Sequence, residues 1–543
     1  MGRFDPPPPA IPHFVANRVP KDRAWAVLFG LLWAVALALG AYGVAHKNPA
    51  AFTTDYSDPA SCPITPGRGR GLSERLTAKG AEWSPSQFVH LAGSWLAVSA
   101  VAALALGWAF LALFRHNSGL MTRVTIWSQV LIPAVLGVVM LVSGVLRGGL
   151  LCFGVAALAA FCFYIWRDQI ALATRLLGVS AHALTANSGV ITTTILLNLA
   201  SFLALIPLWT LTVFALMNGE VVPNPAREGS AKCADAQGQE VLCCTWAPNS
   251  FAQGYAALSM VGTLWTMLLA NQIRVFVTSG AVAQWYFAPA GLSQPAKGTT
   301  LRSLRHALGP SFGSLCLSSL VLTIAQIMRD AIERAQQRNS QEQFSLGTLI
   351  TACLLCVAQC FWTVIEYLTK FATVLMAITG DSFLTAGRAV TDLLARNFLD
   401  AFASTIWFTP LVIRMACFLL AAGWAALSGG AYYTLHRGNQ LEATPGVNAA
   451  VLAVCVYIVA QFVLSFLGGV LLSCLDAVFI CWALDRDSQS VSKPEVYAVF
   501  QTVPLPGAVI EQPDGDIMYG AGQRSETAPL NASQYPPPGV AHV

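Results

Sequence analysis

The sequence predicts an all-α polytopic membrane protein with about ten transmembrane helices and both termini in the cytosol. Hydrophobic residues make up 55% of the 543 residues and charged residues only 11%, whereas a soluble domain carries about 25% charged residues. The mean hydropathy is +0.59. The apolar residues also gather in runs that can cross a hydrocarbon core ~30 Å thick, which takes about 20 helical residues. Lipid is therefore the expected solvent of most of this chain.

Ten apolar runs follow one another along the chain, and each is expected to be a transmembrane helix. Two are too long for one simple span. The run 251–287 would exceed about 50 Å as a helix, so we expect it to project beyond the membrane, to break near 278–280, or to fold as a span plus a half-helix. The last run has the same problem, with Gly468 and Gly469 as its weak point. The runs cover 24–45, 88–114, 124–146, 149–166, 191–217, 251–287, 307–328, 350–377, 400–427 and 447–484.

The basic residues orient these spans. The loop 329–345 is an exception, because it carries Arg329, Arg334 and Arg338 yet is predicted outside. The run 350–377 is therefore expected to be either a full span or a segment lying along the inner surface. Twelve other Lys and Arg residues near span ends fall on the cytosolic side, which fits the positive-inside rule: Arg18, Lys21, Arg23, Arg115, Arg123, Arg167, Arg175, Lys297, Arg302, Arg305, Arg388 and Arg396.

The segments outside the membrane are short. Residues 1–23 are Pro-rich and expected to be a disordered cytosolic segment, residues 24–484 form the transmembrane domain, and 485–543 form a largely disordered cytosolic tail. The two long loops, about 47–87 and 218–250, are predicted to be extracellular. No loop is long enough for an enzyme domain, and no nucleotide-binding or hydrolase motif occurs. We therefore expect no enzyme activity, no cofactor and no metal. The net charge of +4 and the lack of a basic, aromatic-rich cluster predict no nucleic-acid partner.

Four cysteines lie in the two loops that are predicted to be extracellular, where disulfides persist. Their pairing does not follow from the sequence. The other ten cysteines lie in apolar runs, where cysteine is most often a small buried hydrophobe. The disulfide candidates are Cys62, Cys233, Cys243 and Cys244.

A few charged residues lie inside the predicted spans, where each costs about 2.5–3.5 kcal/mol on insertion scales. Glu366 and Lys370 are four apart in the favourable order for a helical ion pair. Glu366 is expected either to be neutralised by Lys370 or to face a cavity, where it counters a cationic substrate or carries a proton. Asp476 lies about 13 Å along a helix from Asp485. It is expected to pair with Arg414 or Arg274, or to serve gating or proton coupling.

Aromatic side chains are the second resource for binding a cation, because ammonium groups bind over ring faces. Trp265, Trp362 and Trp424 lie within spans, and Trp285 and Tyr286 lie at the end of the sixth run. Most membrane Trp and Tyr residues belong to interfacial belts. These five residues are expected either to pack or to line a substrate site together with Glu366.

Four stretches resemble the choline transporter-like proteins, solute carrier family 44. "SGAVAQWYF" (279–287) is similar to the family's small-residue run ending in Trp-Tyr. "SLRHALGPSFGSLCLSSLVLTIAQIMR" (303–329) is similar to the next helix. "IEYLTKFATVLMAITGDSFLTAGRAVTDLLARN" (365–397) resembles the aromatic-rich segment, and "CLDAVFICWALDRD" (474–487) resembles the terminal signature. The chain departs from the family at Thr369, where Asn is usual, and at Ala477, where Thr is usual. Cys481 falls within a residue of the expected Cys.

The resemblance implies a ten-span membrane protein that moves choline or ethanolamine without sodium, with proton exchange as an option. The chain is closer to divergent fungal and protist-like members than to animal ones. We therefore predict alternating-access transport of a small organic cation in the lipid bilayer of the plasma membrane, with an organelle membrane as the alternative. The two other functions considered are a structural or regulatory membrane protein without transport, and a carrier of lipid or another organic solute. The oligomeric state does not follow from the sequence.

Overall fold

The computed structural model describes residues 14–56, 85–144, 146–225, 233, 241–288, 298–341, 346–397, 399–436 and 445–501. This part of the chain is almost entirely helical and contains 10 candidate membrane spans. The predicted fold class is therefore confirmed. The spans cover Arg23–Ala45, Gly93–Leu113, Gly119–Val142, Leu146–Ile165, Gly189–Leu216, Ser250–Tyr286, Phe312–Asn339, Leu349–Thr379, Thr409–His436 and Gly446–Asp487.

The described residues of the first half form six helices. The third contains two spans that are separated at Asn117, where the backbone leaves the helical region (φ −145°, ψ 59°). Such a break inside a run of hydrogen bonds redirects a helix. The helices are α1 (Arg23–Ala45), α2 (Ala50–Thr53), α3 (Pro85–Val142), α4 (Leu146–Ile165), α5 (Arg167–Ala186) and α6 (Gly189–Leu216).

A small antiparallel sheet follows α6. Strand β1 (Gly219–Pro223) pairs with β2 (Cys244–Pro248). Cys233 and Cys243 form a disulfide beside the sheet, and Cys244 is also disulfide-bonded. The prediction of disulfides in this loop is confirmed for these three cysteines, whereas Cys62 lies outside the described residues. The sequence pattern did not predict the strands.

The described residues of the second half form α7 (Ser250–Tyr286), α8 (Thr299–Leu308), α9 (Phe312–Gln341), α10 (Leu346–Thr379), α11 (Phe383–Asn397), α12 (Leu399–His436), α13 (Pro445–Asp487) and α14 (Pro494–Gln501). The first of them is preceded by the N-cap residue Asn249, whose side chain accepts a hydrogen bond from the backbone N–H of Ala252, a common arrangement.

The structure distinguishes between several alternatives in this half and corrects one expectation, the loop at 329–345. Both α7 and α13 run unbroken, with 37 and 43 residues, so neither is interrupted near 278–280 or at Gly468 and Gly469. The segment 329–341 is the end of α9 rather than a loop. The run 350–377 lies within α10, a continuous helix of 34 residues that is long enough to cross a membrane.

Helix α13 lies at the centre of the packing, in contact with α3, α5, α7, α10 and α12. Close helix approach depends on small residues. At Gly429 of α12, an added Cβ would lie 2.8 Å from the Cβ of Ala453 in α13. The outer helices expose apolar side chains instead: Val27, Leu31 and Val35 follow one another along α1 at 61, 56 and 48% exposure. Such a face suits contact with lipid tails.

The segment 14–22, which precedes α1, packs against the ends of α9, α10 and α11; we call it the N-terminal strap. Arg18 caps the end of α10, donating to the carbonyl oxygens of Ala377 (2.7 Å), Met376 and Ile378 (both 3.3 Å). These carbonyls lie in the last turn of the helix, where a cation is favourable. Burial lowers the pKa of Arg18 to about 10, while nearby Asp381 acts in the opposite direction.

Asp22 fixes the other end of the strap. Its carboxylate accepts hydrogen bonds from the Ser314 hydroxyl (2.6 Å) and from the backbone N–H of Phe383 (3.2 Å). The first turns of α9 and α11 are thereby joined through one acidic group, which helix N-termini favour. The expectation of a disordered segment 1–23 is therefore corrected for residues 14–22, and residues 1–13 lie outside the described ones.

The chain after α13 is also ordered at first. The buried Asp485 carboxylate accepts hydrogen bonds from the hydroxyl groups of Ser490 (3.0 Å) and Ser492 (2.8 Å) and from the backbone N–H of Ser492 (2.8 Å). This turn leads directly into α14. Asp485 is thus part of the packed bundle, and the boundary predicted at 484 is too early. Residues 502–543 lie outside the described part.

Candidate functional site

One face of α13 carries a polar stripe formed by Gly469, Ser473 and Asp476. At about 100° per residue, positions i, i+4 and i+7 fall on the same side of a helix. The hydroxyl of Ser473 donates to the carbonyl oxygen of Gly469 (2.9 Å). A small residue, a hydroxyl and a carboxylate therefore lie one above another inside a membrane span. Charged side chains from α7 and α10 reach this stripe.

Asp476 forms an ion pair with Lys370 of α10. The exposed fractions of the two side chains are 13% and 31%, so the pair is largely withdrawn from the surface. The expected partners of Asp476, Arg414 and Arg274, are therefore wrong. The actual partner follows from packing, because α10 contacts α13 and directs the long Lys370 side chain to the stripe.

Glu366 pairs with Arg329 of α9 rather than with Lys370, with Nη1 and Oε2 2.5 Å apart. The Glu366 side chain is 49% exposed and Arg329 is 28% exposed. A pair within one helix contributes only about 0.2–0.5 kcal/mol. Here α9 places Arg329 beside Glu366, and α13 places Asp476 beside Lys370, so each charge meets an opposite charge on a neighbouring helix. The expected Glu366–Lys370 pair is thus replaced by two pairs between helices.

Arg274 of α7 approaches the stripe at Gly469. A Cβ added there would lie 3.5 Å from Nη1 of Arg274, which is ordinary contact. Its Nη2 donates to Oδ1 of Asn271 (2.5 Å), and its guanidinium lies 5.7 Å from the ring centroid of Phe466. Within the described part of the chain, no carboxylate pairs with Arg274. Arg414 lies apart, exposed on α12.

Of the three tryptophans predicted within spans, Trp265 is the most buried, at 4% exposure. Its indole N–H lies 3.2 Å from the carbonyl oxygen of Cys316 and 3.1 Å from Oγ of Ser319. Its ring meets Phe29 edge-on at 5.2 Å. These contacts join α7 to α9 and α1, as expected of a packing residue.

The remaining predicted aromatic residues lie at separate places. Trp362 is partly exposed on α10, edge-on to Phe361 at 5.5 Å. Trp424 packs between α12 and α13, and its indole N–H meets no acceptor among the described residues. Tyr286 is fully buried at the end of α7. Next to it, the ring of Trp285 contacts a cation of the protein itself, because Nζ of Lys493 lies 5.4 Å from the ring centroid. The predicted substrate residues are therefore not gathered into one cavity.

A cleft of about 360 Å³ lies between α1, α6, α7 and α9, and no pattern in the sequence predicted it. The indole N–H of Trp33 donates to Oγ1 of Thr266 (3.1 Å) at its wall. Almost all of its lining is apolar, and it opens to the outer surface of the bundle. Its lining residues include Phe29, Trp33, Ser201, Thr266, Ile273 and Phe312.

Known proteins share the segment that carries the stripe. The family model for the plasma-membrane choline transporter matches residues 150–487. A CTL-like protein of Dictyostelium discoideum is 23% identical over 310 residues, covering 55% of this chain and 54% of that protein. The choline transporter-like protein 3 of Bos taurus is 24% identical over 355 residues (64% of this chain, 50% of the relative). The choline transporter-like protein 2 of Mus musculus is 25% identical over 286 residues (50% and 38%). The chain thus spans about half, or less, of the length of these relatives.

Proposed function

The chain belongs to the choline transporter family, and from this premise we propose that it carries choline or a related small cation such as ethanolamine across a membrane. A transporter family, together with ten candidate spans, fits a membrane transporter rather than an enzyme. Alternating access, proton coupling, a plasma-membrane location and cytosolic termini belong to the same proposal.

The observation that carries the proposal is the Lys370–Asp476 ion pair between α10 and α13. A quaternary ammonium has no N–H to donate, so a protein holds it through carboxylate charge and aromatic faces. Asp476 supplies such a charge inside a span. Because Lys370 is also a cation on a flexible side chain, a substrate cation can take its place beside Asp476 without leaving the carboxylate unpaired.

This exchange provides a simple transport cycle. Lys370 neutralises Asp476 when no substrate is bound, and the substrate displaces it when a cation enters. A proton on Asp476 would neutralise the carboxylate equally well, which gives the proposal its route to proton exchange. Glu366, half-exposed beside Arg329, is the second carboxylate in this scheme, at the entrance to the site. Trp362, about one helical turn before Glu366 on α10, is the aromatic residue that we assign to this entrance.

The test is uptake of labelled choline and ethanolamine in a host that lacks choline uptake. Wild type is compared with Asp476→Asn, Glu366→Gln and Trp362→Ala at equal surface expression. We expect Asp476→Asn to reduce uptake at least about tenfold, as for loss of about 1.4 kcal/mol or more of substrate interaction. The matched control is Glu495→Gln, a carboxylate-to-amide change on the exposed side of α14. Absence of uptake by well-expressed wild type would refute the proposal, and full uptake by Asp476→Asn would refute the site.

The apolar cleft favours a second candidate function, the transport of an organic solute with a hydrocarbon chain. A lining dominated by Phe29, Trp33 and Ile273 suits an acyl or alkyl group better than a bare ammonium. Competition distinguishes the two functions. If long-chain alkylcholines inhibit uptake far more strongly than choline, and Trp33→Ala removes only that advantage, the cleft takes part in binding.

A further inference from the structure

The stripe and its neighbours carry a surplus of positive charge. Arg274 and Lys370 contribute two positive charges, whereas Asp476 contributes one negative charge. The other pair in this region, Arg329 with Glu366, is balanced. If the protein carries a cation, as proposed above, this surplus repels the substrate unless something offsets it. Charges of either sign interact over longer distances inside a membrane protein than in water, because the surroundings screen them weakly.

We propose that Arg274 forms a binding site for a monovalent anionic group. Nη2 of its guanidinium donates to Asn271, and its Cζ lies 5.7 Å from the ring centroid of Phe466. Nη1 makes no hydrogen bond to the described residues. Unlike the buried Nε, Nη1 is not enclosed. The donor edge of a partly exposed arginine is thus left available in the middle of the helical bundle.

Gly469 brings the guanidinium close to α13. An added Cβ would meet Nη1, Nη2 and Cζ of Arg274 at 3.5, 3.6 and 3.8 Å, all ordinary contacts, so the guanidinium lies directly against the helix at this glycine. Ser473, one turn further along the stripe, has a hydroxyl whose hydrogen is donated to Gly469. The Asn271 amide accepts from Arg274 through its oxygen, which leaves its two N–H groups as further donors. Donors from arginine and asparagine beside a small residue suit an anion.

The charge count specifies the ligand class. One negative charge balances the surplus, so the site is expected to take a monovalent group rather than a divalent one. Two sources share this chemistry: a free halide ion, or an acid group on the transported solute itself. A halide would act as a counterion that accompanies the cation, whereas an acid group would make the natural substrate a zwitterion.

The direct test is thermal unfolding of the purified protein in detergent, in sodium gluconate with increasing sodium chloride or sodium bromide at constant ionic strength. We expect a saturable rise in the unfolding temperature for wild type. Arg274→Gln should abolish it, Arg274→Lys should keep a weaker response, and the matched control Arg414→Gln, an exposed arginine on α12, should respond as wild type does. This readout needs no transport, so it stands even if choline uptake proves absent.

The second arm replaces the halide with glycine betaine, a quaternary ammonium that carries a carboxylate, in the same gluconate buffer. Stabilisation by betaine that needs Arg274, without any halide response, assigns the anionic group to the solute. A halide response that needs Arg274 assigns it to a free ion. If neither ligand stabilises wild type, or if Arg274→Gln responds as strongly as wild type, the anion site is refuted.

Discussion

Breaking the Lys370–Asp476 pair tests how strongly α10 and α13 are joined. Removing one partner of a buried ion pair costs about 3–5 kcal/mol because the other charge stays behind. Lys370 retains 31% exposure, so solvent screens part of this loss. We therefore expect Asp476→Leu and Lys370→Met each to lower the free energy of unfolding by about 2–3 kcal/mol.

The double variant separates stability from transport. With Lys370→Met and Asp476→Leu together, no charge is left unpaired, and replacing both partners by apolar residues is often neutral. We expect the free energy of unfolding to return to within about 1 kcal/mol of wild type, which gives a coupling energy of at least about 3 kcal/mol. Uptake should remain lost, because the carboxylate that receives the substrate cation is gone.

The measurement is unfolding in mixed micelles with increasing sodium dodecyl sulfate, followed by tryptophan fluorescence, for wild type, both single variants and the double variant. Distant, independent sites add within about 0.3–0.5 kcal/mol. A coupling energy in that range would show that the two charges do not interact appreciably. Restored uptake in the double variant would instead show that the pair is purely structural.

Two further predictions concern the N-terminal strap. Burial, reinforced by the charge of Arg18, lowers the pKa of His306 from 6.5 to about 4. Between these two pH values the unfolded chain therefore binds a proton more readily than the folded one, so stability should fall as the pH is lowered from about 6.5 to 4. The variant His306→Gln should flatten that part of a profile of melting temperature against pH. An unchanged profile would contradict the shift. Gly313→Ala would place a Cβ 2.3 Å from the backbone oxygen of Asp22 and should cost about 1–3 kcal/mol, seen as a lower melting temperature and faster proteolysis before α1. Gly423→Ala, with no atom within 4 Å of the added Cβ, should be neutral or stabilising; equal effects of the two would exclude the steric reason.

The spans could be predicted because lipid imposes a simple requirement on composition and length. That requirement says little about where a helix continues beyond the membrane. The run ending at 484 already contained most of α13, but the buried Asp485 and the turn through Ser492 depend on contacts that composition does not reveal. The N-terminal strap was missed for a similar reason: a Pro-rich, polar stretch is typical of disorder, whereas Arg18 is held by the carbonyl groups of a helix far away in sequence.

The charged residues of the site could be located from the sequence, but their partners could not. An acid deep in an apolar run indicates a need for a partner, and Asp476 has one. Choosing between Lys370, Arg274 and Arg414 requires knowing which helices touch and which way each side chain points. The substrate roles of Trp265, Trp362, Trp424, Trp285 and Tyr286 stay predictions, although the contacts of Trp265 favour packing.

The unbroken length of α13 has a mechanical consequence. A helix of 43 residues is about 65 Å long, so pivoting it by about 5° at one end would displace the other end by about 6 Å. The turn at Asp485 and the short α14 lie at the C-terminal end of α13, and Asp476, which pairs with Lys370, lies within the helix. A movement of the chain after α13 would therefore also move the ion pair, because one continuous helix connects them.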